Sequence, residues 1–510
     1  MVTCTMSASI YCVVTTVGGP HEYGVREVDV PPRSISLFEP IIGVERYSEL
    51  TRAAASAVKR LKGRTVWNFN STASGGGVAE MLDVLVGYIK DTGIDIRWHV
   101  VAGDAAFFSI TKRLHNRLHG VSGDSGTLGS SEADCFTAVT TANAMSARAH
   151  VRKDDVVLLH DPQTAGMAAA LAETGARVVW RCHIGRDGTN EWTDEAWSFL
   201  RPHLVACEAY IFSRRQYVPQ WMDGSRVHII PPSIDPFSPK NQDMSDADVI
   251  RTLRGIGLLE RRAGSPPGTF TRRDGRPGLI SRQANMLHDG PELQPGDPLV
   301  IQVSRWDRLK DMKGVLEGFA ESVPGRVDAH LALVGPQVDF VTDDPEGIEA
   351  FTECAAAWQA LPSESRRRVS LVSLPMEDID ENAAMVNAIQ RHATVIVQKS
   401  LMEGFGLTVA EGMWKGRAVV ASGVGGIIDQ IESGTGILLE DPHDLAKFGR
   451  TLVELLSDPA EIAQLGARAR QHVLDQFVGD NHLERYARLI EWLGSSSPRV
   501  GPAGTRGEST

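Results

Sequence analysis

Cysteine is scarce. Six residues, Cys4, Cys12, Cys135, Cys182, Cys207 and Cys354, are scattered through 510, with no C-x-x-C spacing and no Cys/His cluster. So few thiols in so long a chain make no disulfide framework and do not suggest zinc, and a reducing, cytoplasmic setting is expected. Long apolar runs are also missing. Nothing approaches the roughly 20 consecutive apolar residues of a membrane span, so no membrane association is expected. The first twenty residues lack a basic n-region and a clear A-x-A site, and read as a strand or ordered extension rather than a signal peptide. Positive charge is not in excess either. Lys and Arg number 52 against 64 Asp and Glu, a net charge of −12, which argues against a nucleic-acid binder with its basic stripe. A phosphate-bearing small molecule is still allowed, because a few local cations and helix N-termini suffice for that. There is no internal repeat.

What is present is a regular α/β alternation. Apolar runs with strand character occupy residues 65–70 (TVWNFN), 94–101 (IDIRWHVV), 155–160 (DVVLLH), 176–182 (ARVVWRC) and 227–231 (VHIIP). Residues 78–90 and 108–118 between them have helical spacing. The rhythm restarts with runs at 299–303, 329–334, 369–373, 394–398 and 418–421. Strands separated by helices imply parallel pairing with right-handed crossovers. The expected division is a first Rossmann-like domain over 1–237, a linker and surface insertion over 238–297, and a second Rossmann-like domain over 298–478. The insertion holds a short helix near 244–256 and an unpatterned basic, Gly/Pro-rich piece (RRAGSPPGTFTRRDGRPG). A helix over 479–494 and a disordered tail over 495–510 complete the chain. Two doubly wound sheets joined this way face a cleft at their strand C-termini, which is where ligands bind in such sheets.

Three segments at strand exits carry chemistry. Residues 70–77 (NSTASGGG) place Gly75, Gly76 and Gly77 between a strand and a helix. Bare backbone and the positive helix end favour an anion there, and a flexible turn is the alternative. The spacing is not G-x-G-x-x-G and no ribose-binding acid stands at its usual offset, which disfavours an NAD enzyme. Residues 304–311 (SRWDRLKD) bring Arg305 and Lys310 to the cleft, either as two cations for a departing diphosphate or as part of a solvated charged loop. Residues 403–411 (EGFGLTVAE) hold Glu403 before a helix and Glu411 within it, with Gly404 and Gly406 opening the helix start to a phosphate. A carboxylate in such a loop can accept from sugar hydroxyls, and one on the helix from a ribose diol. An ordinary capped helix is the alternative.

Glu403 and Glu411 match the E-x7-E pattern, and Arg305 and Lys310 the Arg/Lys pair, of the retaining nucleotide-sugar glycosyltransferase family that includes glycogen and sucrose synthases. The ordered motifs NSTASGGGVAEML, TKRLHNRLHG, HDPQTAG, SRWDRLKD and EGFGLTVAEGMWKGRAVVAS resemble the trehalose glycosyltransferring synthases within it, over about residues 40–490. The resemblance does not extend to the first forty residues, to 261–297 or to the tail. It implies a GT-B fold, α/β with two Rossmann-like doubly wound parallel-sheet domains facing a cleft, and a C-terminal helix crossing back onto the first. It also implies that Arg305, Lys310 and Glu403 are catalytic, with Glu403 on the transferred glucose. The donor would lie over Gly75, Gly76, Gly77, Gly404, Phe405, Gly406 and Leu407, with its ribose held by Glu411. His183, at the end of the run WRC, matches the histidine beside the transferred sugar. Asp161 would bind acceptor hydroxyls or merely cap the next helix, while Lys112 and His115 read as surface or packing residues. No cofactor and no catalytic metal are implied, and no D-x-D-like motif stands in a suitable loop, Asp343-Asp344 being read as solvated.

No pair of carboxylates suits a glycosidase-type double displacement. The resemblance implies same-face attack, in which the leaving phosphate oxygen takes the acceptor proton and the protein supplies positioning and charge. The expected reaction joins a nucleoside-diphosphate glucose to glucose, giving trehalose, with the reverse reaction allowed. A trehalose phosphorylase, a GT-B sugar-nucleotide epimerase and a non-catalytic sugar-nucleotide sensor are the competing readings. The base of the donor and the oligomeric state, a homodimer among the options, stay open.

Overall fold

The computed structural model describes residues 23–74, 76–262, 264–338 and 345–495. The expectations for the first twenty residues, Gly75, Asp343-Asp344 and the chain beyond Ser495 lie outside the described residues.

Two seven-stranded sheets organise the chain. The first contains β1 (Arg26–Val28), β2 (Val66–Asn70), β3 (Ile96–Val100), β4 (Val156–His160), β5 (Arg177–Cys182), β6 (Ala209–Phe212) and β7 (Val227–Ile229). Its order is β1-β3-β2-β4-β5-β6-β7, with β1 antiparallel to β3 and the other pairings parallel. A hairpin of β8 (Thr269–Thr271) and β9 (Pro277–Leu279) follows. The second sheet contains β10 (Asn285–Leu287), β11 (Leu299–Val303), β12 (His330–Pro336), β13 (Val369–Leu374), β14 (Val395–Gln398), β15 (Ala418–Ser422) and β16 (Ile437–Leu439). Its order is β10-β13-β12-β11-β14-β15-β16, again with an antiparallel edge strand. The architecture is GT-B.

The central strands are buried along their whole length because helices cover both faces. Every residue of β2, β4, β5, β14 and β15 is buried, so these strands read as unbroken runs rather than alternating ones. Side-chain caps fix where several covering helices begin. Asp104 Oδ1 accepts from Phe107 N at 2.8 Å at the start of the helix Ala105–Leu118, and Asn190 Oδ1 accepts from Thr193 N at 3.1 Å before Glu191–Leu204. The short strands β6 and β16 lie outside the strand runs read from the sequence.

Residues 261–297 differ from the unpatterned surface insertion that composition suggests. Phe270 and Ile280 are buried in the same core as Leu253, Val372 and Val409. Strand β10 pairs with β13 and extends the second sheet. Charged residues disguise this segment, because ion pairs to its neighbour rather than apolar periodicity hold it in place.

The chain crosses between the halves twice, at adjacent places. Ile234 N donates to Phe477 O at 2.8 Å, and just beyond, the helix Gly479–Ser495 returns to the first half. There Tyr486, Leu489 and Leu493 are buried with Val66, Ile96 and Val156. At about 1.5–3 kcal/mol for each fully buried large apolar side chain, these three contribute roughly 6 kcal/mol to holding the crossover. Arg46 grips Asp480 with two bonds of 2.5 and 2.8 Å at its start. Among the described residues no helix is long and apolar enough to cross a membrane.

Candidate active site

Strand order reverses between β2 and β4 in the first sheet and between β11 and β14 in the second. Loops leaving strands on either side of such a point diverge, one to each face, and open a crevice. The two crevices share a cleft of roughly 420 Å³ whose walls include Gly77 and His183 from the first half and Glu403, Gly406 and Glu411 from the second.

On the second-half wall, the loop after β14 is tied to the loop after β11. Lys399 N donates to Gln302 Oε1 at 2.9 Å, Leu401 N to Leu309 O at 2.8 Å, and the buried Lys399 ammonium pairs with Asp311. These ties bring Lys310 to Glu403, with Nζ 2.6 Å from Oε2 and the side chains only 17% and 12% exposed. Ser400 Oγ donates to the same carboxylate oxygen at 3.3 Å. Arg305 is more open and lies 3.3 Å from Asp307. Gly406, at φ 83°, opens the helix Leu407–Trp414 in a conformation that residues with a Cβ rarely adopt. The buried Gln430 fixes that turn, its amide donating to Phe405 O and to Gly406 O and its oxygen accepting from Ala410 N at 3.0 Å. Phe405 packs on Phe477.

Glu411, in the second turn of that helix, has Oε1 3.2 Å from Lys240 Nζ. Its Oε2 is buried with no hydrogen-bond partner among the described residues. A buried carboxylate oxygen left unpaired is costly, and it marks an acceptor aimed at the cleft it lines. Glu411 also raises the affinity of Lys240 for its proton, while burial pushes the neighbouring Lys415 down to about 7.

The first-half wall carries a histidine pair. His160 Nδ1 lies 3.1 Å from His183 Nε2 and its Nε2 3.1 Å from Asn68 Oδ1, with the two imidazoles stacked 5.4 Å apart. Burial, then Arg181, holds His160 down at about 3 and His183 well below the usual imidazole range, so both rings are neutral at pH 7. With Asn68 Oδ1 accepting, His160 carries its proton on Nε2 and His183 on Nε2, and Nδ1 of His183 is left as an acceptor. Asp161 stands at φ 62°, rare for a residue with a side chain. It makes no side-chain cap to the short helix Pro162–Ala165; its Oδ1 accepts from His183 N at 2.8 Å instead. Burial lifts its carboxyl to about 7, against the pull of that bond and of Arg181. Arg181 is wholly buried beneath this group and reaches His482, Tyr486 and Ile230 O, which links it to the crossover helix.

After β2, Asn70 Nδ2 donates to Thr72 O at 2.7 Å and Thr72 Oγ1 to Ser74 O at 2.6 Å. Gly76, at φ 96°, and Gly77 begin the helix Gly77–Asp91, and a Cβ on either would meet nothing within 4 Å. Gly75 lies outside the described residues.

Several cleft residues carry no sequence signal. Tyr217 Oη donates to Gly404 O at 2.5 Å across the cleft, and Arg214 binds Asp187 on its own half and Gly425 O and Asp429 on the other. His119 is 3.8 Å from the Cβ position of Gly404; burial foremost lowers its pKa, against the field of Glu403. His115, expected as a surface or packing residue, is edge-on to His119 at 4.9 Å and held at about 3 by burial, then by His119, Lys112 and Arg305. Lys112 itself is exposed. Tyr217 and Arg214 meet the second half only in space, while His115 and His119 stand in the run TKRLHNRLHG, which does not show that His119 reaches Gly404.

Comparison with known proteins places this geometry. Residues 68–219 match the family model "Trehalose synthase, N-terminal domain" and residues 286–472 match "Glycosyl transferases group 1". A trehalose synthase of Pyrococcus horikoshii is 33% identical over 479 residues, covering 92% of this chain and 99% of its own length. One of Rubrobacter xylanophilus is 31% identical over 472 residues, covering 92% and 99%. A trehalose phosphorylase of Pleurotus pulmonarius is 24% identical, covering 80% of this chain but 54% of itself. Among solved structures, an alpha,alpha-trehalose-phosphate synthase (UDP-forming) from Burkholderia vietnamiensis superposes with a TM-score of 0.59 at 15% identity, covering 85% of this chain and 99% of that one; at that identity the likeness speaks for the fold.

Proposed function

The chain belongs to the trehalose synthase family of GT-B glycosyltransferases, and on that premise we propose that it moves glucose from a nucleoside-diphosphate glucose to glucose, with retention, giving trehalose. The observation that carries this reading is the row of groups on the second-half wall. Glu411 offers an unpaired buried oxygen, Gly406 opens a helix N-terminus, and Lys310 and Glu403 follow as a pair 2.6 Å apart. That sequence of acceptor, anion site, cation and acceptor suits ribose, diphosphate and hexose in turn.

In this mechanism Lys310 and Arg305 meet the charge that grows on the departing diphosphate, helped by the helix starts at Leu407 and Gly77. Phe405 supports the turn under the phosphates. Glu403 accepts from the transferred glucose. Asp161, with its carboxyl near 7, and neutral His183, with Nδ1 free to accept, face the acceptor from the first half. Asp161 is assigned no nucleophilic role: burial holds its carboxyl near 7, and its Oδ1 accepts from His183 N. Retention then follows from same-face attack, with a diphosphate oxygen taking the acceptor hydroxyl proton. No metal or cofactor takes part in this scheme.

Phosphorolysis is the nearest competitor. The relatives favour synthase, because the P. horikoshii enzyme matches over 99% of its length and the Pleurotus enzyme over 54%. Trehalose breakdown tests the choice: it should require a nucleoside diphosphate, and breakdown driven by inorganic phosphate alone would reject the proposal.

A further inference from the structure

The hairpin of β8 and β9 lies in the segment outside the family resemblance, yet it reaches the cleft. Its turn is closed by Arg272 N to Arg276 O at 2.8 Å and Gly275 N to Arg272 O at 2.9 Å. Consecutive ties lock it to the first turn of the helix Ile379–His392, which begins just after β13. Arg272 forks onto Asp378 at 3.0 and 2.7 Å, and Arg273 binds Asp380 through Nε at 2.9 Å and N at 3.1 Å. Beyond the hairpin, Ser281 N and Arg282 N both donate to the buried Glu381. Phe270 and Ile280 anchor the segment from below.

This places Arg273 on the cleft wall with Met376, Ile379 and Asn382, near enough to Lys240, the partner of Glu411, to act on its charge. Ile379 is 53% exposed although it lines the cleft, so an apolar face stands open beside a positioned guanidinium. A planar, polar-edged ring fits that pair: its face covers Ile379 and Met376, and its edge or opposite face meets Arg273. On the donor reading the diphosphate lies towards Glu403 and Gly406, which line the same cleft.

We propose that the hairpin forms part of the donor site and that Arg273 holds the nucleobase of the nucleoside diphosphate against Met376 and Ile379, setting which base this chain takes. The inference rests on the donor reading given above and adds a residue and an element to it. Arg273 is a specificity residue here, with Asp380 positioning it, and neither touches the reacting atoms.

Titration calorimetry on the full chain tests it, using ADP, UDP and GDP in turn and inorganic pyrophosphate as the base-free probe. Arg273→Ala should weaken the preferred nucleoside diphosphate by about tenfold or more, the scale for losing a good base contact, and narrow the spread among the three. Pyrophosphate binding, which involves no base, should stay within about twofold. Asp380→Asn, which keeps the guanidinium but frees it, should move the same ratios less far. Arg273→Gln repeats the test if alanine loosens the hairpin. Unchanged affinities and an unchanged spread would overturn the inference while leaving the transferase reading intact, as would equal weakening of pyrophosphate. Wild-type chain that binds pyrophosphate but no nucleoside diphosphate would remove the donor reading and this inference together.

Discussion

Lys310→Ala removes the cation 2.6 Å from Glu403 in a pair whose side chains are 17% and 12% exposed. Two charges about 4 Å apart interact by about 4 kcal/mol at the effective dielectric near 20 that suits such sites. The same distance scale applies to an ammonium beside a phosphate oxygen. Because the diphosphate gains charge only as the glycosidic bond breaks, most of that interaction is lost from the transition state. Removal of one fixed charge-stabilising group typically costs about 2.7–4 kcal/mol, or about a hundred- to a thousandfold in kcat. Among the described residues Glu403 would keep the Ser400 hydroxyl at 3.3 Å without its cation, so the variant also disturbs the sugar contact. Initial rates of diphosphate release at saturating glucose, over a range of donor concentrations, separate the two effects. The account predicts a fall mainly in kcat, partly restored by Lys310→Arg. Turnover within a few-fold of wild type would refute the role assigned to this side chain.

Glu411→Gln should raise the donor KM by about tenfold with kcat nearly unchanged, the scale for a charged hydrogen bond made equally in ground and transition states; an unchanged donor KM would count against the ribose contact. Asp161→Asn tests a pH-dependent stability. The folded carboxyl sits at about 7 against an ordinary value of 3.8, so its ionisation opposes folding. The resulting penalty is absent below about pH 4, grows to about pH 7 and is constant above. Thermal melts should therefore show the Asn variant gaining on wild type across that window, by up to about 4 kcal/mol, whereas a difference flat in pH would contradict the burial argument. Leu489→Ala, at a 1%-exposed position of the crossover helix, should cost about 2–5 kcal/mol in denaturant unfolding, and a loss below about 1 kcal/mol would mean the helix is not anchored there.

The parts of the fold legible in the sequence are those where burial on both sheet faces leaves a continuous apolar run. LVIQV is β11 to the residue, and VVLLH is β4. AYIF and ILL are strands too, but runs so short are ambiguous without neighbours. The 261–297 segment misleads because Arg272, Arg273 and Arg282 read as solvated, whereas Asp378, Asp380 and Glu381, a hundred residues away, hold them. Lys310, Glu403 and Glu411 are legible through the motifs shared with the glycosyltransferase family, since by position alone each also reads as part of a solvated loop or a capped helix. Lys240 and Tyr217 are not, since only the tertiary fold brings them to Glu411 and Gly404, and the motif that holds His119 does not show its nearness to Gly404. Asp161 is half legible: its strand-end position is plain, but whether it caps a helix or binds His183 N depends on a positive φ that sequence does not reveal.

The most direct measurement follows a nucleoside-diphosphate α-glucose labelled at the glucosyl C1, incubated with glucose, by NMR. The account predicts one nucleoside diphosphate released per disaccharide, with the label entering a single α,α-1,1-linked product. A β-configured linkage, or label recovered only as free glucose while acceptor is plentiful, would contradict it.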